Sequence, residues 1–262
     1  MKGWELLIYL ILAGLLAYLL FKLIFHIVMA DQYNSILNYV KIDEQAETIH
    51  NFFENYPIYY INLDRAADRR AYLEEMFDKY QIKNVTRIQG VDGKNVDVEY
   101  KVIGYTKYSP GELGCSLSHI RAIKTAYENG DEIAVIIEDD CGFGLLSQNK
   151  LSLQQIINLA PPDWEYLNLC PLNPMIHLYN ETFVPDVNFT GYGTSVYVIN
   201  RKGMEKILLF LGDNVFDQTK CKSWHLASDI ILPYLTKSYS YKERIFYQNR
   251  TFPTQITNSS IP

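Results

Sequence analysis

A short apolar run followed directly by three carboxylates does most to limit what this chain can fold into. Residues Ile133 to Ile137 are five consecutive apolar residues, and Glu138, Asp139 and Asp140 follow without a break. A strand that is apolar at every position has to be covered on both faces, because successive side chains point to opposite sides of a sheet. The segment therefore predicts a buried strand of a sheet that is covered on both faces.

Other strand candidates recur from Pro57 onwards, separated by helix-like stretches. They are Ile58 to Leu63, Val85 to Val91, Trp164 to Cys170 and Ser195 to Ile199. This alternation predicts one large α/β domain over residues 57–262. Ligands of open α/β sheets bind beyond the carboxyl ends of the strands, so the residues that follow each strand are the candidates for function.

The first thirty residues differ from the rest because they are almost entirely apolar. From Leu6 to Phe21 every residue is apolar, Gly or Tyr, and after Lys22 the run resumes as far as Ala30. This stretch exceeds the roughly 20 residues that a helix needs to cross a bilayer. We expect residues 1–30 to be an N-terminal membrane anchor that contacts the membrane through residues 6–30. A cleaved signal peptide is the alternative.

Residues 31–56 carry apolar side chains at every third or fourth position, among them Ile36, Val40, Ile49 and Phe53. This spacing predicts a helical stem between the anchor and the domain. Packing of the stem against the domain is the preferred interpretation, because the segment is short and irregular for a coiled coil. A homodimer formed through the stem is the alternative.

The charge balance excludes one class of partner. The chain has 24 Lys and Arg against 30 Asp and Glu, a net charge of -6. Nucleic-acid-binding proteins need clustered cations, so we expect no nucleic-acid partner. An anionic small ligand must then be held by a few placed cations or by a metal ion. The four cysteines show no metal-ligand spacing and leave the redox compartment open; they are Cys115, Cys141, Cys170 and Cys221.

The acidic triplet predicts a cation site. Three adjacent anions at the mouth of a buried strand repel one another and lose solvation, and a divalent ion compensates for both. Alternation along an extended chain places Glu138 and Asp140 on the same side, which suits a metal ion shared with two phosphate oxygens. The alternative is a solvated acidic turn before a helix.

Polar residues also follow the first strand candidate. Asn62 and Arg65 lie nearest its end, and Asp64 is a plausible cap for the next helix. Asn62 and Arg65 are therefore candidates for contacts with a nucleotide or its diphosphate. For Arg69 and Arg70 the alternative is a solvated helix face, which we prefer for Arg70.

A second helix is marked at both ends. The segment Ser109 to Glu112 has a Ser cap, a Pro in the first position and a Glu that can return a hydrogen bond, and Asn129-Gly130 predicts the end. Glu112, Ser116 and His119 share a face that we expect to line a cleft. Alternatively, Glu112 is only a capping residue and His119 an interior histidine.

Two later segments give weaker signals. The two glycines between Thr190 and Ser195 allow a close approach of the backbone to a ligand, and equally an ordinary turn. Asp229 is an isolated carboxylate in an apolar stretch that ends at Pro233. It is a candidate general base. The alternative is a structural anion paired with a lysine or arginine.

Four motifs stand in a fixed order. They are Tyr60-Ile61-Asn62-Leu63-Asp64-Arg65 with Asp68-Arg69-Arg70, Gly90-Val91-Asp92-Gly93, Gly111-Glu112-Leu113-Gly114-Cys115-Ser116-Leu117-Ser118-His119, and Ile137-Glu138-Asp139-Asp140. Their order and spacing resemble glycosyltransferase family 25, which includes lipooligosaccharide and collagen galactosyltransferases. The resemblance covers about Ile58 to Gln255.

This resemblance implies a GT-A-type fold, a Rossmann-like mixed sheet flanked by helices, here preceded by the N-terminal transmembrane helix. It also implies a UDP-sugar donor, Mn²⁺ (or Mg²⁺) and inversion at the anomeric carbon. Glu138 and Asp140 match the family's metal-binding motif. The residues expected to contact the donor are Asn62, Arg65, Arg69, Asp92 and Asp139, and those expected to act in catalysis are Asp229, Glu112 and His119.

The implied activity is transfer of a sugar, galactose first and glucose second, to a hydroxyl of a glycan or glycoprotein, for example in lipopolysaccharide biosynthesis. With the anchor and several Asn-X-Ser/Thr triplets such as Asn180-Glu181-Thr182, we expect a single-pass membrane protein with a lumenal catalytic domain. A catalytically silent nucleotide- or carbohydrate-binding module is one alternative. A metal-dependent nucleotidyltransferase or phosphohydrolase is another.

Overall fold

The computed structural model describes residues 4, 11–20, 22–23, 52–54, 56–94, 101–103, 109–186, 192–211, 215–217 and 227–253. The strands are β1 (Ile58–Asn62), β2 (Val85–Gln89), β3 (Lys101–Ile103), β4 (Ile133–Glu138), β5 (Cys141–Gly142), β6 (Tyr166–Asn168), β7 (Phe183–Pro185), β8 (Val196–Asn200), β9 (Val215–Asp217), β10 (Ser238–Tyr241) and β11 (Tyr247–Gln248). The helices are α1 (Ala67–Lys79), α2 (Pro110–Glu128), α3 (Leu153–Leu159), α4 (Arg201–Leu211) and α5 (Ser228–Leu235), with short 3₁₀ helices at Gly144–Gln148 and Pro174–Leu178.

Seven strands form one mixed sheet in the order β2-β1-β4-β8-β6-β10-β7. β1 pairs in parallel with β2 and β4, so these three strands share a carboxyl edge. β8 is antiparallel to β4 and β6, which brings the start of β8 to the same edge as the end of β4. All five strands predicted from the apolar runs are in this sheet, and the predicted mixed α/β architecture is confirmed.

Both faces of β4 are covered, as its uninterrupted apolar run predicts. On one face Val135 and Ile137 pack in a core with residues of α1 and α3, including Leu73 and Ile156. On the other face Ala134 and Ile136 join a second core that is built largely from α2, α4 and α5. The side chains of Val135 and Ile136 are completely buried. The sheet therefore separates two apolar layers, and its carboxyl edge remains for polar residues.

The membrane anchor predicted for residues 1–30 is wrong, and with it the predicted single-pass location and lumenal orientation. None of the helices in the described part of the chain has both the length and the apolar character needed to cross a membrane.

The helical stem predicted at residues 31–56 falls for the most part outside the described residues. Of its apolar positions, Phe52 and Phe53 are buried in the domain core. The Phe53 ring stacks on Phe246 at 5.8 Å between centroids, and the Phe52 carbonyl accepts a hydrogen bond from the Leu153 amide at 2.9 Å. These two residues therefore pack as part of the α/β domain.

Glycines let the loop after β2 lie directly on the start of α2. A Cβ added to Gly114 would be 2.6 Å from the Val91 carbonyl oxygen, and one added to Gly93 would overlap the Pro110 carbonyl. The Val91 amide also donates to the Ser118 hydroxyl at 2.8 Å. Two of the sequence motifs are thus locked together at the carboxyl edge of the sheet.

Candidate active site

A cleft of about 410 Å³ opens at the carboxyl ends of β1, β2 and β4. Its volume is in the usual range for small-molecule sites. All four sequence motifs line it, together with a segment near residue 250. The lining residues are Ile61, Leu63, Arg65, Arg69, Val91, Asp92, Gly93, Lys94, Pro110, Gly111, Cys115, Ser118, His119, Glu138, Asp139, Asp140, Gln248, Asn249, Arg250 and Phe252.

Glu138, the last residue of β4, is held by two hydrogen bonds to one oxygen. Its Oε1 lies 3.0 Å from His119 Nε2 and accepts a hydrogen bond from the Thr194 hydroxyl at 2.5 Å. Burial raises the pKa of Glu138, but the contacts with His119 and Thr194 and the charge of Arg69 outweigh burial and leave this pKa below its usual value. Glu138 is therefore an anion at neutral pH.

Asp139 is engaged through both oxygens. Arg69 Nη1 donates to Oδ1 at 2.8 Å, and Asn62 Nδ2 donates to Oδ2 at 2.7 Å. Burial raises the pKa of Asp139, and the two partners offset only part of that effect. Asn62 and Arg69, both expected to contact the donor, thus hold the acidic triplet in place. Arg69 also lines the cleft, whereas Asn62 lies behind it.

Asp140 is the least compensated of the three carboxylates. Its Oδ2 accepts from Arg69 Nη1 and from Gln248 Nε2, each at 3.3 Å, and both bonds are long. Its Oδ1 is buried and has no hydrogen-bond partner among the described residues. Burial and the charge of Glu138 raise the pKa of Asp140 to about 7. An orphaned carboxylate oxygen beside a second carboxylate fits a divalent cation, which binds oxygen ligands.

The face of helix α2 that lines the cleft lies next to the face that the sequence predicts. Its predicted capping box is confirmed: Glu112 Oε2 accepts from the Ser109 amide at 2.8 Å and from the Ser109 hydroxyl at 2.9 Å. The cleft-lining residues of α2 include Cys115 and His119, but not Glu112 or Ser116. The placement of Glu112 thus matches the capping alternative. His119 is buried, with Nδ1 3.2 Å from the Tyr197 hydroxyl, so both ring nitrogens are engaged.

Arg65 and Asp92 form an exposed ion pair of 2.6 Å at the cleft rim. Both line the cleft, as expected for residues near a bound donor. Asp64 does not cap α1 as predicted: Ala66 occupies the N-cap position, and Asp64 instead accepts from Arg87 Nη2 at 2.6 Å. An arginine on the neighbouring strand offers a stronger partner than a free backbone amide.

A chain of polar groups links Glu138 to α5. The Thr194 hydroxyl gives its one proton to Glu138, so it can only accept from the Ser228 hydroxyl 3.2 Å away. Ser228 Oγ in turn lies 3.4 Å from Cys115 Sγ. Asp229 follows in the first turn of α5, and burial together with the charge of Glu138 raises its pKa. Asp229 therefore lies in the same electrostatic environment as the triplet, although it is not among the residues that line the cleft.

Several site residues have no local signal in the sequence. Thr194, Tyr197, Ser228, Gln248 and Asn249 contact the motif residues, yet each lies in an unremarkable stretch. The Asn249 amide donates to the Asp140 carbonyl at 2.6 Å because β5, directly after the triplet, pairs with β11. The glycines before Thr194 and the isolated carboxylate of Asp229, next to Ser228, pointed to two of these regions.

Comparisons with known proteins show which sequences this chain is similar to. Procollagen galactosyltransferase 2 of Homo sapiens is 30% identical over 215 residues, which is 74% of this chain and 32% of the human protein. Procollagen galactosyltransferase 1 of Danio rerio is 27% identical over 170 residues, 58% of this chain and 28% of the fish protein. A putative glycosyltransferase of Acanthamoeba polyphaga mimivirus is 31% identical over 97 residues, 34% of this chain and 30% of the viral protein. The aligned parts are thus under a third of each relative's length.

Among solved structures, a glycosyltransferase involved in glycosylation of the major capsid of PBCV-1 aligns with a TM-score of 0.44 and 11% identity, over 76% of this chain and 94% of the other. The family assignment comes from sequence. Residues 55–217, more than half of the chain, match the model of the family described as glycosyltransferase family 25 (LPS biosynthesis protein). The chain therefore belongs to glycosyltransferase family 25.

Proposed function

We propose that this chain transfers galactose from UDP-galactose to a hydroxyl group of a glycan or glycoprotein, with inversion at the anomeric carbon and with Mn²⁺ or Mg²⁺ in the cleft. Membership of the family and similarity to the procollagen galactosyltransferases support sugar transfer and favour galactose. UDP-glucose is the second candidate donor.

The observation that carries the proposal is the acidic triplet at the floor of the cleft, which within the described part of the chain has one paired cation and one unpaired buried carboxylate oxygen. Three carboxylates meet at its floor, and among the described residues Arg69 is the only lysine or arginine that forms an ion pair with any of them. Asp140 Oδ1 is buried without a partner. Leaving such an oxygen unpaired costs about 1–3 kcal/mol or more when it is charged. A bound cation that pairs with this oxygen would remove that cost.

Glu138 and Asp140 are the residues that would hold the cation. Asp139 already has both oxygens occupied by Arg69 and Asn62, which suits it to orienting the triplet. A divalent ion bound there would supply positive charge for the departing diphosphate. Arg65, Lys94 and Arg250 add cations to the cleft lining, and we assign them contacts with the phosphates.

Asp229 is our candidate for the group that accepts the proton of the acceptor hydroxyl, and because it does not line the cleft, an acceptor has to approach it from the α5 side. A carboxylate whose pKa is raised by burial and by Glu138 is a stronger base than an ordinary aspartate. His119 is less suited to that role, because both its ring nitrogens are occupied by Glu138 and Tyr197. We assign His119 the role of holding Glu138 in position.

The test is release of UDP by the purified chain incubated with UDP-galactose and Mn²⁺, measured with and without EDTA. We expect release that requires the metal ion and falls at least about 100-fold in Asp140→Asn, since the charge that binds the cation is lost. Asp163→Asn, at an exposed position remote from the cleft lining, is the matched control. Donor binding without turnover with any UDP-sugar would identify a silent binding module and sink the proposal.

A further inference from the structure

Three ligand atoms of different chemistry converge on one side of the cleft. Cys115 Sγ, His119 Nε2 and a Glu138 carboxylate oxygen all lie within 4.8 Å of one another. We infer that Cys115, His119 and Glu138 form a zinc site, which shares Glu138 with the cation site assigned above to Glu138 and Asp140 but adds sulfur and nitrogen ligands.

The chemistry of the three ligand atoms favours a zinc-like ion. Thiolate and imidazole ligands favour Zn²⁺, whereas Mg²⁺ and Mn²⁺ favour carboxylate and carbonyl oxygens. A thiolate and a carboxylate together balance the charge of one divalent ion. On binding, the Cys115 thiol proton leaves to solvent as the bond from sulfur to zinc forms. The proton of neutral His119 moves from Nε2 to Nδ1, beside the Tyr197 hydroxyl, and no electrons are transferred.

The distance between His119 and Glu138 is close to that of tetrahedral coordination, and the Cys115 sulfur, within 4.8 Å of both atoms, would move towards them on binding. Zinc bonds of about 2.0–2.3 Å place neighbouring ligand atoms roughly 3.3–3.8 Å apart. His119 Nε2 and the Glu138 oxygen, now 3.0 Å apart, would separate by a few tenths of an ångström. All three residues line the cleft, so the ion has an entry path, and its fourth position is left to water or a ligand oxygen.

Each ligand already has a partner that would orient it around a metal ion. The Tyr197 hydroxyl lies 3.2 Å from His119 Nδ1 and fixes the ring with Nε2 towards Glu138. Ser228 Oγ lies 3.4 Å from the Cys115 sulfur, and Thr194 donates to Glu138. Such outer partners are a regular feature of metal sites, and removing one costs about 10–100-fold in affinity.

Cobalt titration of the metal-free full chain tests the site, because a cobalt–thiolate bond gives a charge-transfer absorption band. We expect one equivalent to bind with that band, and zinc to displace it. Cys115→Ala should abolish the band and weaken zinc binding at least about 100-fold, while Tyr197→Phe should keep the band and weaken binding about 10-fold. Cys221→Ala is the matched control, and Asp140→Asn, which removes the other cation site, should also keep the band.

Zinc X-ray absorption on the unaltered protein gives a second measurement that requires no variant to fold. It should show one sulfur at about 2.3 Å and nitrogen or oxygen ligands at about 2.0 Å. Absence of a sulfur ligand, survival of the cobalt band in Cys115→Ala or its loss in Cys221→Ala would each overturn the assignment. These readouts do not involve sugar transfer, so they can fail while the proposed activity stands.

Discussion

Replacing Asp140 by asparagine should stabilise the metal-free protein at alkaline pH and leave it almost unchanged at pH 4. Burial and the neighbouring Glu138 raise the pKa of Asp140 from 3.8 to about 7. The folded state therefore holds the proton of Asp140 more tightly than the unfolded state does. The resulting penalty is absent below the unfolded pKa, grows as the pH rises from about 4 to about 7, and is complete above that.

The size of this effect follows from the pKa difference. The pKa of Asp140 is higher by about three in the folded state than in the unfolded state. A pKa difference of one corresponds to about 1.4 kcal/mol, so the upper limit of the penalty is about 4 kcal/mol at pH 8. The folded-state pKa already includes the attraction to Arg69, whose Nη1 lies 3.3 Å from Asp140 Oδ2, and we expect a net gain of roughly 2–4 kcal/mol. At pH 4 the difference should shrink below about 1 kcal/mol.

Urea unfolding in EDTA at pH 4, 6 and 8 measures these differences directly. Asp78→Asn, at an exposed position in α1, is the control and should change the free energy of unfolding by less than about 0.5 kcal/mol at each pH. Added Mn²⁺ should stabilise the unaltered protein at pH 8 and leave Asp140→Asn unaffected. A variant that is equally or less stable at pH 8, with no dependence on pH, would refute this account of the acidic triplet.

Three further changes test other parts of the site. Gly114→Ala should destabilise the fold by about 1–3 kcal/mol in urea unfolding, because its Cβ would lie 2.6 Å from the Val91 carbonyl; an unchanged midpoint would contradict the close packing of this loop. Ser109→Ala should cost about 1 kcal/mol by the same measurement through loss of the capping box, and no loss would show that the cap is dispensable. Thr194→Val should raise the pKa of Glu138 by about one in a carboxyl titration followed by NMR, since a hydrogen bond to the charged form is lost. An unchanged pKa would contradict the role of this hydrogen bond.

Much of the fold could be predicted because its central elements carry local signals. The apolar run of β4 predicted a strand covered on both faces, and the capping box fixed the start of α2 at Pro110. Strands β7 and β10 could not be predicted in the same way. Ser238 to Tyr241 alternates serine and tyrosine, and Phe183 to Pro185 is three residues long and ends in proline. Both are strands because of the neighbours they pair with.

The candidate site could be predicted only in part, and the reason is related. Residues within the motifs were found, but the partner that each side chain takes depends on contacts that are distant in sequence. Thr194 reaches Glu138 across 56 residues, through the antiparallel pairing of β8 with β4. Arg69 could be taken for a solvated helix residue, yet its side chain is buried against Asp139 and Asp140. Spacing along α1 cannot reveal which acid its arginine meets.

The contacts near residue 250 have a consequence for the order of folding. Arg69 Nη2 donates to the Pro253 carbonyl across 184 residues, and Asp140 meets Gln248 across 108. Contacts so distant in sequence cannot form until the later segment has been synthesised, and closing such long loops slows folding. At about 5–20 residues per second, roughly 10–40 s of translation separate Arg69 from Pro253. From the synthesis of Asp140 until that of Gln248 and Pro253, the acidic triplet on the nascent chain lacks part of its enclosure, so this edge of the sheet is completed late in folding.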